Sequence, residues 1–231
     1  MHFSIAPASE ELYWSQNEFL VAEHFLDAAT LASMIAEANA LRAKINRNYV
    51  PGQKKGGSVS SFEVAEHAPV THALYHSTDL IALLSRLTRE KLLVCPESDP
   101  HRCALYFYTE SGDHIGGHYD TSFYKGKRYT VLLGLVDQSS SRLICQLYKD
   151  DPSRETEERR VATTPGSMVL FNGDKLWHSV SPSAAGEDRV VLTLQYVTDQ
   201  RMGALQRIVS DVKDAVAYFG VKSLFRSRRR G

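Results

Sequence analysis

The most constraining feature of this chain is a change of periodicity near Arg102, where helical spacing of apolar residues gives way to short extended segments. Aromatic and aliphatic residues then recur in brief runs, separated by turn residues such as Pro165 and Gly166. The pattern predicts eight strands: Arg102–Tyr108, Ile115–Asp120, Tyr129–Val136, Arg142–Tyr148, Arg160–Thr163, Ser167–Phe171, His178–Val180 and Asp188–Val197. Eight short strands with turn signals indicate a double-sheet jelly roll or a barrel.

The first hundred residues are predicted to be mainly helical. A capping box at Ser15 and Glu18 predicts a short helix through Phe25, and Asp27 and Asp79 are predicted to cap two further helices. The helix after Asp27 has an apolar stripe, made of Leu31, Met34, Ile35, Ala38, Leu41 and Ile45. We therefore expect one domain over 1–231, with a helical support at 1–100, a core at 101–198, a helix at 199–220 and a basic tail at 221–231.

A lysine- and glycine-rich segment at 49–58 interrupts the helical pattern and predicts a mobile surface loop. Its part at 51–58 is either a lid over a binding site or an ordinary solvated loop. A strand is predicted at Ser58–Val64. The following His67, His72 and His76 have no cysteine or carboxylate that completes a metal set, so they are predicted to be structural or surface residues.

Two histidines and one aspartate form a candidate metal site. His118 and Asp120 lie two residues apart on a predicted strand, so their side chains point to the same side. His178 lies on another predicted strand and can supply a third ligand. Two imidazoles and a carboxylate with open positions opposite are typical of the facial triad of non-haem Fe(II) oxygenases. Arg189 follows His178 by eleven residues and begins an apolar strand, which makes the combination more specific.

From about Arg102 to Thr198 the chain resembles the Fe(II)- and 2-oxoglutarate-dependent dioxygenases, in particular the prolyl-hydroxylase-like branch. The matching segments are 105–108, 117–120, 129–136, 165–171, 177–178 and 188–193. The resemblance implies a double-stranded β-helix, a mainly β fold of the jelly-roll or cupin kind with flanking helices. It also implies Fe(II), 2-oxoglutarate and O2 as cofactor and cosubstrates, with His118, Asp120 and His178 as metal ligands.

By the same resemblance, Arg189 is the expected partner of the far carboxylate of 2-oxoglutarate, because a guanidinium binds a carboxylate bidentately. Many relatives have Ser or Thr two residues further on, where this chain has Val191. Thr193 is therefore a candidate for the same pocket, and Tyr108 or Tyr106 could supply a second donor, with Tyr108 the better placed.

Three more residues near the predicted site leave its details open. The segment with Cys145 and Gln146 replaces a Gly-Gly pair found in many relatives, so both are possible pocket residues. Trp177 precedes a predicted ligand, and packing is favoured over substrate contact.

The resemblance implies an enzyme that hydroxylates an unactivated C–H bond of a small molecule, such as an amino acid or a natural-product intermediate, with release of succinate and CO2. The alternatives are a peptide or protein side-chain hydroxylase and a non-catalytic cupin-like binding protein. Related halogenases have a small residue in place of the metal carboxylate, which leaves room for chloride, and Asp120 argues against that activity.

Composition sets the expected environment. The formal net charge is zero and the pI is about 7.1, so no global field favours nucleic acid or membrane. Three cysteines without CxxC spacing, and an N-terminus without the features of a signal peptide, predict a cytoplasmic protein with reduced thiols. The expected partner is a small-molecule substrate rather than nucleic acid or membrane.

Overall fold

The computed structural model describes residues 2–120 and 124–201, and its strands form one continuous sheet. The strands in chain order are β1 (Phe19–Ala22), β2 (Asn46–Val50), β3 (Lys54–Val59), β4 (Leu93–Val94), β5 (Cys103–Tyr108), β6 (His114–His118), β7 (Arg128–Gln138), β8 (Leu143–Leu147), β9 (Glu157–Val161), β10 (Met168–Asn172), β11 (Trp177–Val180) and β12 (Asp188–Val197). The helices are α1 (Ser9–Ser15), α2 (Ala28–Ala40) with a 3-10 turn (Leu41–Lys44), α3 (Ser61–His67), α4 (Pro69–Tyr75) and α5 (Thr78–Thr88).

The strand order is that of a jelly roll whose two halves are joined by one strand. One half runs β1-β10-β7-β12-β5 and the other runs β6-β11-β8-β9, and all of these pairs are antiparallel. Strand β3 joins them, because its second half pairs with β5 and its first two residues pair with β6. The prediction of a double-stranded β-helix with flanking helices is therefore confirmed.

The two faces of β12 show how the roll is filled. Val190, Leu192 and Leu194 belong to a large apolar cluster shared with residues of all five α-helices. Val191 belongs to a second cluster, built by residues of β5, β7, β8 and β10, which lies inside the roll. Because side chains alternate along a strand, Arg189 and the other odd-numbered residues of β12 face the interior with Val191.

The predicted capping box at Ser15 and Glu18 is wrong. Helix α1 ends at Ser15, and Asn17 and Glu18 have φ values of 59° and 61°, in the left-handed region that ends a helix. The next residues pair with β10 as an edge strand. Glu18 itself is buried, and its carboxylate accepts a hydrogen bond from Asn172.

The lysine-rich segment is a hairpin rather than a mobile loop. Only 51–53 form a turn, and β2 pairs with β3 across it from Asn46 to Val50. The predicted strand at Ser58–Val64 is also wrong in its second half, because helix α3 begins at Ser61. A strand that pairs on both sides gains enough hydrogen bonds to overcome the weak β-propensity of lysine and glycine.

The remaining helix predictions differ in detail. Asp27 caps α2 as expected, since its carboxylate accepts the backbone N–H of Thr30 at 2.8 Å. The cap of α5 is Ser77, whose hydroxyl accepts the N–H of Leu80, so the predicted cap at Asp79 is wrong by two residues.

The predicted divisions of the chain are partly outside the described residues. The four strands β1–β4 come from the first hundred residues, so that part adds to the sheet as well as supporting it. The helix predicted at 199–220 and the tail at 221–231 lie almost entirely beyond residue 201, outside the described part of the chain. Among the described residues, no helix is long and apolar enough to cross a membrane.

Candidate metal centre

A bulge in β6 places His118 inside the roll. His118 pairs with His178, and Ile115 pairs with Val180, so three steps on β6 match two on β11. The extra residue falls at Gly116 and Gly117, which brings His118 to the same face as Ile115. A Cβ on Gly117 would lie 2.6 Å from the indole Nε1 of Trp177, so this close approach requires glycine.

The carboxylate of Asp120 is held just beyond the end of β6. The backbone N–H of Asp120 donates to the carbonyl of Gly173 at 3.0 Å, and the N–H of Gly173 donates to the carbonyl of Arg128 at 2.8 Å. A Cβ on Gly173 would lie 2.8 Å from the Cβ of Asp120, so only glycine allows this backbone contact. The hydroxyl of Thr130 donates to Oδ2 of Asp120 at 2.5 Å, which leaves Oδ1 directed at the histidines.

The three predicted ligands converge. Nε2 of His118 lies 3.4 Å from Oδ1 of Asp120, and Nε2 of His178 lies 3.8 Å from the same oxygen. Metal–ligand bonds of about 2.1 Å at right angles separate two ligand atoms by about 3 Å, so small shifts would bring these atoms onto one ion. Ligand atoms from all three side chains lie within 4.8 Å of one another.

Backbone carbonyls orient both imidazoles. Nδ1 of His118 is 2.9 Å from the carbonyl oxygen of Gly116, and Nδ1 of His178 is 3.0 Å from that of Leu176. A carbonyl accepts only from a protonated nitrogen, so Nδ1 carries the proton and Nε2 is the ligating atom in each ring. This arrangement is the second coordination sphere expected of metal-binding histidines.

The electrostatics favour the protonation states that a metal needs. Burial lowers the pKa of His178, which favours the neutral imidazole. Burial alone would raise the pKa of Asp120, but the electrostatic influence of His178 and His118 and the hydrogen bond from Thr130 outweigh it. The pKa of Asp120 therefore lies well below its ordinary value, and the carboxylate is ionised.

Thr130 was not identified from the sequence, and its role is testable. We expect Thr130→Val, which keeps the shape but removes the hydroxyl, to weaken binding of a divalent metal by about 10- to 100-fold, because Oδ2 of Asp120 loses its donor. Metal titration of the purified protein measures this. The Thr130→Ser variant retains the hydroxyl and should recover most of the affinity. Equal affinities in the Thr130→Val variant and the unmodified protein would show that Thr130 does not orient the ligand.

Arg189 is buried in the same interior, with 1% of its surface exposed. Its Nε donates to the hydroxyl of Thr163 at 3.1 Å, and its guanidinium carbon lies 4.8 Å from the centre of the Tyr108 ring. Burial lowers the pKa of Arg189, and the hydroxyl of Tyr108 opposes this by hydrogen bonding. Nη1 is buried and has no hydrogen-bond partner among the described residues. A desolvated guanidinium with an uncommitted donor fits a carboxylate.

Of the other predicted pocket residues, Tyr108 lies beside Arg189, and the rest lie elsewhere on the strands of the roll. Tyr108 pairs directly with Arg189 across β5 and β12, and Thr193 pairs with Ala104 on the same inner face. Cys145 is buried opposite His178 on β8. Their roles toward a cosubstrate stay predictions, and so does any role of Gln146, the residue opposite Trp177.

Trp177 packs outside the roll. Its ring meets that of Tyr119 edge-on at 5.0 Å, and Nζ of Lys149 lies 3.9 Å from its centre. These contacts support the packing role expected for Trp177.

A second set of potential ligands lies on helix α3, where Glu63, Glu66 and His67 come together. Ion pairs already account for this set: Glu63 lies 2.9 Å from Nζ of Lys44 and 3.5 Å from Nε2 of His67. The side chains of Glu66 and His67 are 54% and 36% exposed, and exposed acidic groups are common without a metal.

Comparison with known families identifies the chain. The model of the family described as HalD, Halogenase D, matches residues 9–125, just over half of the 231 residues. The chain belongs to the Halogenase D family. The matched part includes His118 and Asp120, whereas His178 and Arg189 lie beyond it. No curated protein matches the sequence at a significant level.

Solved structures confirm the fold of this Halogenase D family member. The carbocyclase SnoK of nogalamycin biosynthesis, described as non-heme and alpha-ketoglutarate dependent, is 12% identical with a TM-score of 0.70, over 97% of this chain and 91% of SnoK. The epimerase SnoN of the same biosynthesis is 17% identical with a TM-score of 0.68, over 83% of each chain. A Pseudomonas putida prolyl-4-hydroxylase is 17% identical with a TM-score of 0.64, over 84% and 98%. The predicted jelly-roll fold is thereby shared with proteins that are described as non-heme and alpha-ketoglutarate dependent.

Proposed function

We propose that this protein is an Fe(II)- and 2-oxoglutarate-dependent oxygenase that hydroxylates an unactivated C–H bond of a small molecule. The observation that carries the proposal is the convergence of two imidazoles and one ionised carboxylate in the interior that also contains Arg189. The balanced reaction consumes substrate, 2-oxoglutarate and O2, and it releases hydroxylated product, succinate and CO2.

The protein's own residues position the reactants. His118, Asp120 and His178 would hold Fe(II) on one face and leave the opposite positions open. Arg189, aligned by Thr163 and Tyr108, would hold the far carboxylate of 2-oxoglutarate. The bound iron would supply the oxidative decarboxylation of 2-oxoglutarate and the activation of O2. The apolar inner cluster around Val191 keeps water away from the reacting groups.

Asp120 supports oxygenation rather than halogenation, although the family is described by a halogenase. Halogenases of this kind need a vacant position where chloride replaces the carboxylate. Here that position is taken by a buried carboxylate, which Thr130 and the backbone of Gly173 hold in place. If His118, Asp120 and His178 held Fe(II) together with 2-oxoglutarate, the iron would have room for O2 but not for chloride as well.

A small-molecule substrate is favoured over a peptide or protein side chain. SnoN and SnoK, from nogalamycin biosynthesis, share this fold, and so does a prolyl hydroxylase in complex with a hypoxia inducible factor peptide. The fold therefore accommodates both substrate classes. The buried polar side chains inside the roll, such as Arg189 and Thr193, suit a small molecule. A non-catalytic binding protein would not require the triad and Arg189 together.

Succinate formation tests the proposed function. We expect the purified protein to convert 2-oxoglutarate slowly to succinate when Fe(II), ascorbate and O2 are present, without any added substrate. Chelation of the iron should stop the reaction. A binding protein would form no succinate above the level of free iron in buffer.

Product analysis separates hydroxylation from halogenation. With a substrate that accelerates succinate release, and with excess chloride, we expect oxygenated product and no chlorinated product, because Asp120 occupies the position that chloride needs. Mass spectrometry detects chlorine by its isotope pattern. The Asp120→Gly variant should turn over far more slowly and give at most traces of chlorinated product. Substantial chlorination by the unmodified protein would show that Asp120 does not bind the iron.

A further inference from the structure

The turn between β10 and β11 contacts two of the three candidate metal ligands. The carbonyl of Gly173 accepts the backbone N–H of Asp120 at 3.0 Å. The carbonyl of Leu176, at the other end of the turn, accepts the hydrogen bond from Nδ1 of His178 at 3.0 Å. The conformation of the segment 172–176 therefore sets the positions of a carboxylate and an imidazole at the metal centre.

Asn172 holds this turn in shape. Its carbonyl accepts the N–H groups of Lys175 and Leu176, at 3.2 and 3.1 Å, and its Oδ1 accepts the N–H of Asp174 at 3.0 Å. The side-chain amide must therefore present its oxygen, and not its nitrogen, to the turn. Asn172 is buried, so water has little access to replace a hydrogen bond that this residue loses.

Glu18 fixes the orientation of that amide from outside the turn. Its Oε2 accepts a hydrogen bond from Nδ2 of Asn172 at 2.8 Å, which leaves Oδ1 for the turn. The backbone carbonyl of Glu18 accepts the N–H of Asn172 at 3.2 Å, and Oε1 forms an ion pair with Lys175. Three contacts thus connect a residue that precedes β1 with a turn that begins 154 residues further along the chain.

The fold keeps Glu18 in an unfavourable setting. Its side chain is 4% exposed, so the carboxylate is nearly desolvated, whereas the side chain of its ion-pair partner Lys175 is 54% exposed. The backbone of Glu18 has a φ of 61°, in the left-handed region that residues with a Cβ adopt only at a cost. Strained backbone of this kind persists where the surrounding contacts demand it, and it concentrates at functional sites.

We propose that Glu18 is a positioning residue for the metal centre. It acts through Asn172, whose turn holds the carboxylate of Asp120 and the imidazole of His178 in place. This inference rests on the proposed function, from which it takes the metal centre. Glu18 is not one of the three candidate ligands, so its effect on metal binding is indirect. Loss of its carboxylate would free the amide of Asn172 to rotate, and the turn would then hold both ligands less firmly.

A reciprocal exchange tests the contact between Glu18 and Asn172. In Asn172→Asp, a carboxylate faces the carboxylate of Glu18, so the two repel each other and the turn loses its anchor. The double variant Glu18→Gln/Asn172→Asp again has one amide and one carboxylate at these positions, with donor and acceptor exchanged. Its formal charge equals that of the unmodified protein, so total charge cannot explain a difference between them.

Glu37 offers a matched structural control. Its carboxylate accepts the backbone N–H groups of Val70 and Thr71, at 2.7 and 2.9 Å, at the start of α4. Helix α4 packs into the large apolar cluster that the helices share, not into the interior of the roll. Glu18→Met and Glu37→Met each remove a carboxylate that anchors a neighbouring segment. We expect both variants to lose stability, and only Glu18→Met to lose metal affinity.

Two metals report on the centre. Titration with Mn(II) measures affinity, and the visible absorption of the Co(II)-loaded protein, recorded without O2, reports the geometry of the ligands. We expect Glu18→Met and Asn172→Asp to weaken Mn(II) binding by about 10-fold or more and to shift the Co(II) bands, because the groups that orient two ligands are no longer fixed. The double exchange should restore most of the affinity and the original bands. Chemical denaturation measures the stability of every variant, and if Glu18→Met does not fold, the exchange decides alone.

Unchanged Mn(II) affinity and unchanged Co(II) bands in folded Glu18→Met or Asn172→Asp would refute the inference. A double exchange that recovers neither readout would also refute it, and so would a Glu37→Met variant that loses as much metal affinity as Glu18→Met. Succinate formation by the unmodified Fe(II) protein is measured in parallel. If Mn(II) binding depends on Glu18 but no succinate forms, the positioning role stands and the oxygenase assignment is wrong. If succinate forms and the Glu18 variants bind Mn(II) normally, the reverse holds.

Discussion

Replacing His178 by alanine is expected to abolish turnover and to cause a loss of metal affinity that only substitutions of His118 or Asp120 would match. His178 supplies one of only three protein ligands, and its imidazole is already fixed by Leu176 on one side and by packing 4.8 Å from the Phe171 ring on the other. Alanine leaves two ligands and an apolar gap that cannot bind Fe(II). Fe(II)-dependent succinate formation and metal titration measure the two losses.

The group on helix α3 provides the control for this experiment. Glu63, Glu66 and His67 are the other potential metal ligands in the described part of the chain. We expect His67→Ala to retain both succinate formation and metal binding, since its imidazole only completes a surface ion-pair cluster. Turnover that survives in His178→Ala and disappears in His67→Ala would move the metal centre to α3.

The convergence of the three candidate metal ligands was predictable because their spacing in the sequence indicates strands that face one another. His118 and Asp120 are neighbours in sequence, and His178 and Arg189 fall on strands that the alternation of apolar residues identifies. Because side chains alternate along a strand, Arg189 and Val191 must share one face of β12. Val191 belongs to the apolar cluster inside the roll, so this face points inward. The bulge at Gly116 was not foreseen, although two consecutive glycines before His118 were a visible signal for it.

The residues that support the site were not predictable, because each acts through a contact made only after folding. Thr130 binds Asp120 only when β7 passes beside the end of β6. Thr163 lies in the segment after β9 and reaches Arg189 from 26 residues away. Neither threonine differs in its local sequence from an ordinary strand or loop residue.

Lys54 shows how tertiary pairing overrides local preference. Lysines and glycines have low β-propensity and predicted a surface loop at 51–58. In the fold, β3 pairs with β2 on one edge and with β5 and β6 on the other. Its backbone groups therefore form hydrogen bonds despite the low β-propensity of its side chains. A lysine that was expected in solvent is consequently buried.

Arg189→Leu is expected to weaken binding of 2-oxoglutarate by several hundredfold. The guanidinium is 1% exposed, and its loss would leave the carboxylate of the bound acid buried without a counter-charge. Removing one half of a buried pair costs about 3–5 kcal/mol, which corresponds to roughly 150- to 5,000-fold in affinity. The affinity of the Fe(II) or Mn(II) site should change little, because Arg189 is not a ligand.

Titration of the Mn(II)-loaded protein with 2-oxoglutarate under anaerobic conditions measures this loss directly. Arg142→Leu is the appropriate control, because Arg142 is a second arginine near Arg189 whose guanidinium already donates to the carbonyls of Ser139 and Ser141. We expect this variant to bind 2-oxoglutarate normally. Undiminished binding by Arg189→Leu, together with weakened binding by Lys54→Met or Arg142→Leu, would transfer the cosubstrate carboxylate to one of those cations. We expect the loss of affinity in Arg189→Leu, because Nη1 of Arg189 is buried and has no hydrogen-bond partner among the described residues. A bound carboxylate would supply that partner.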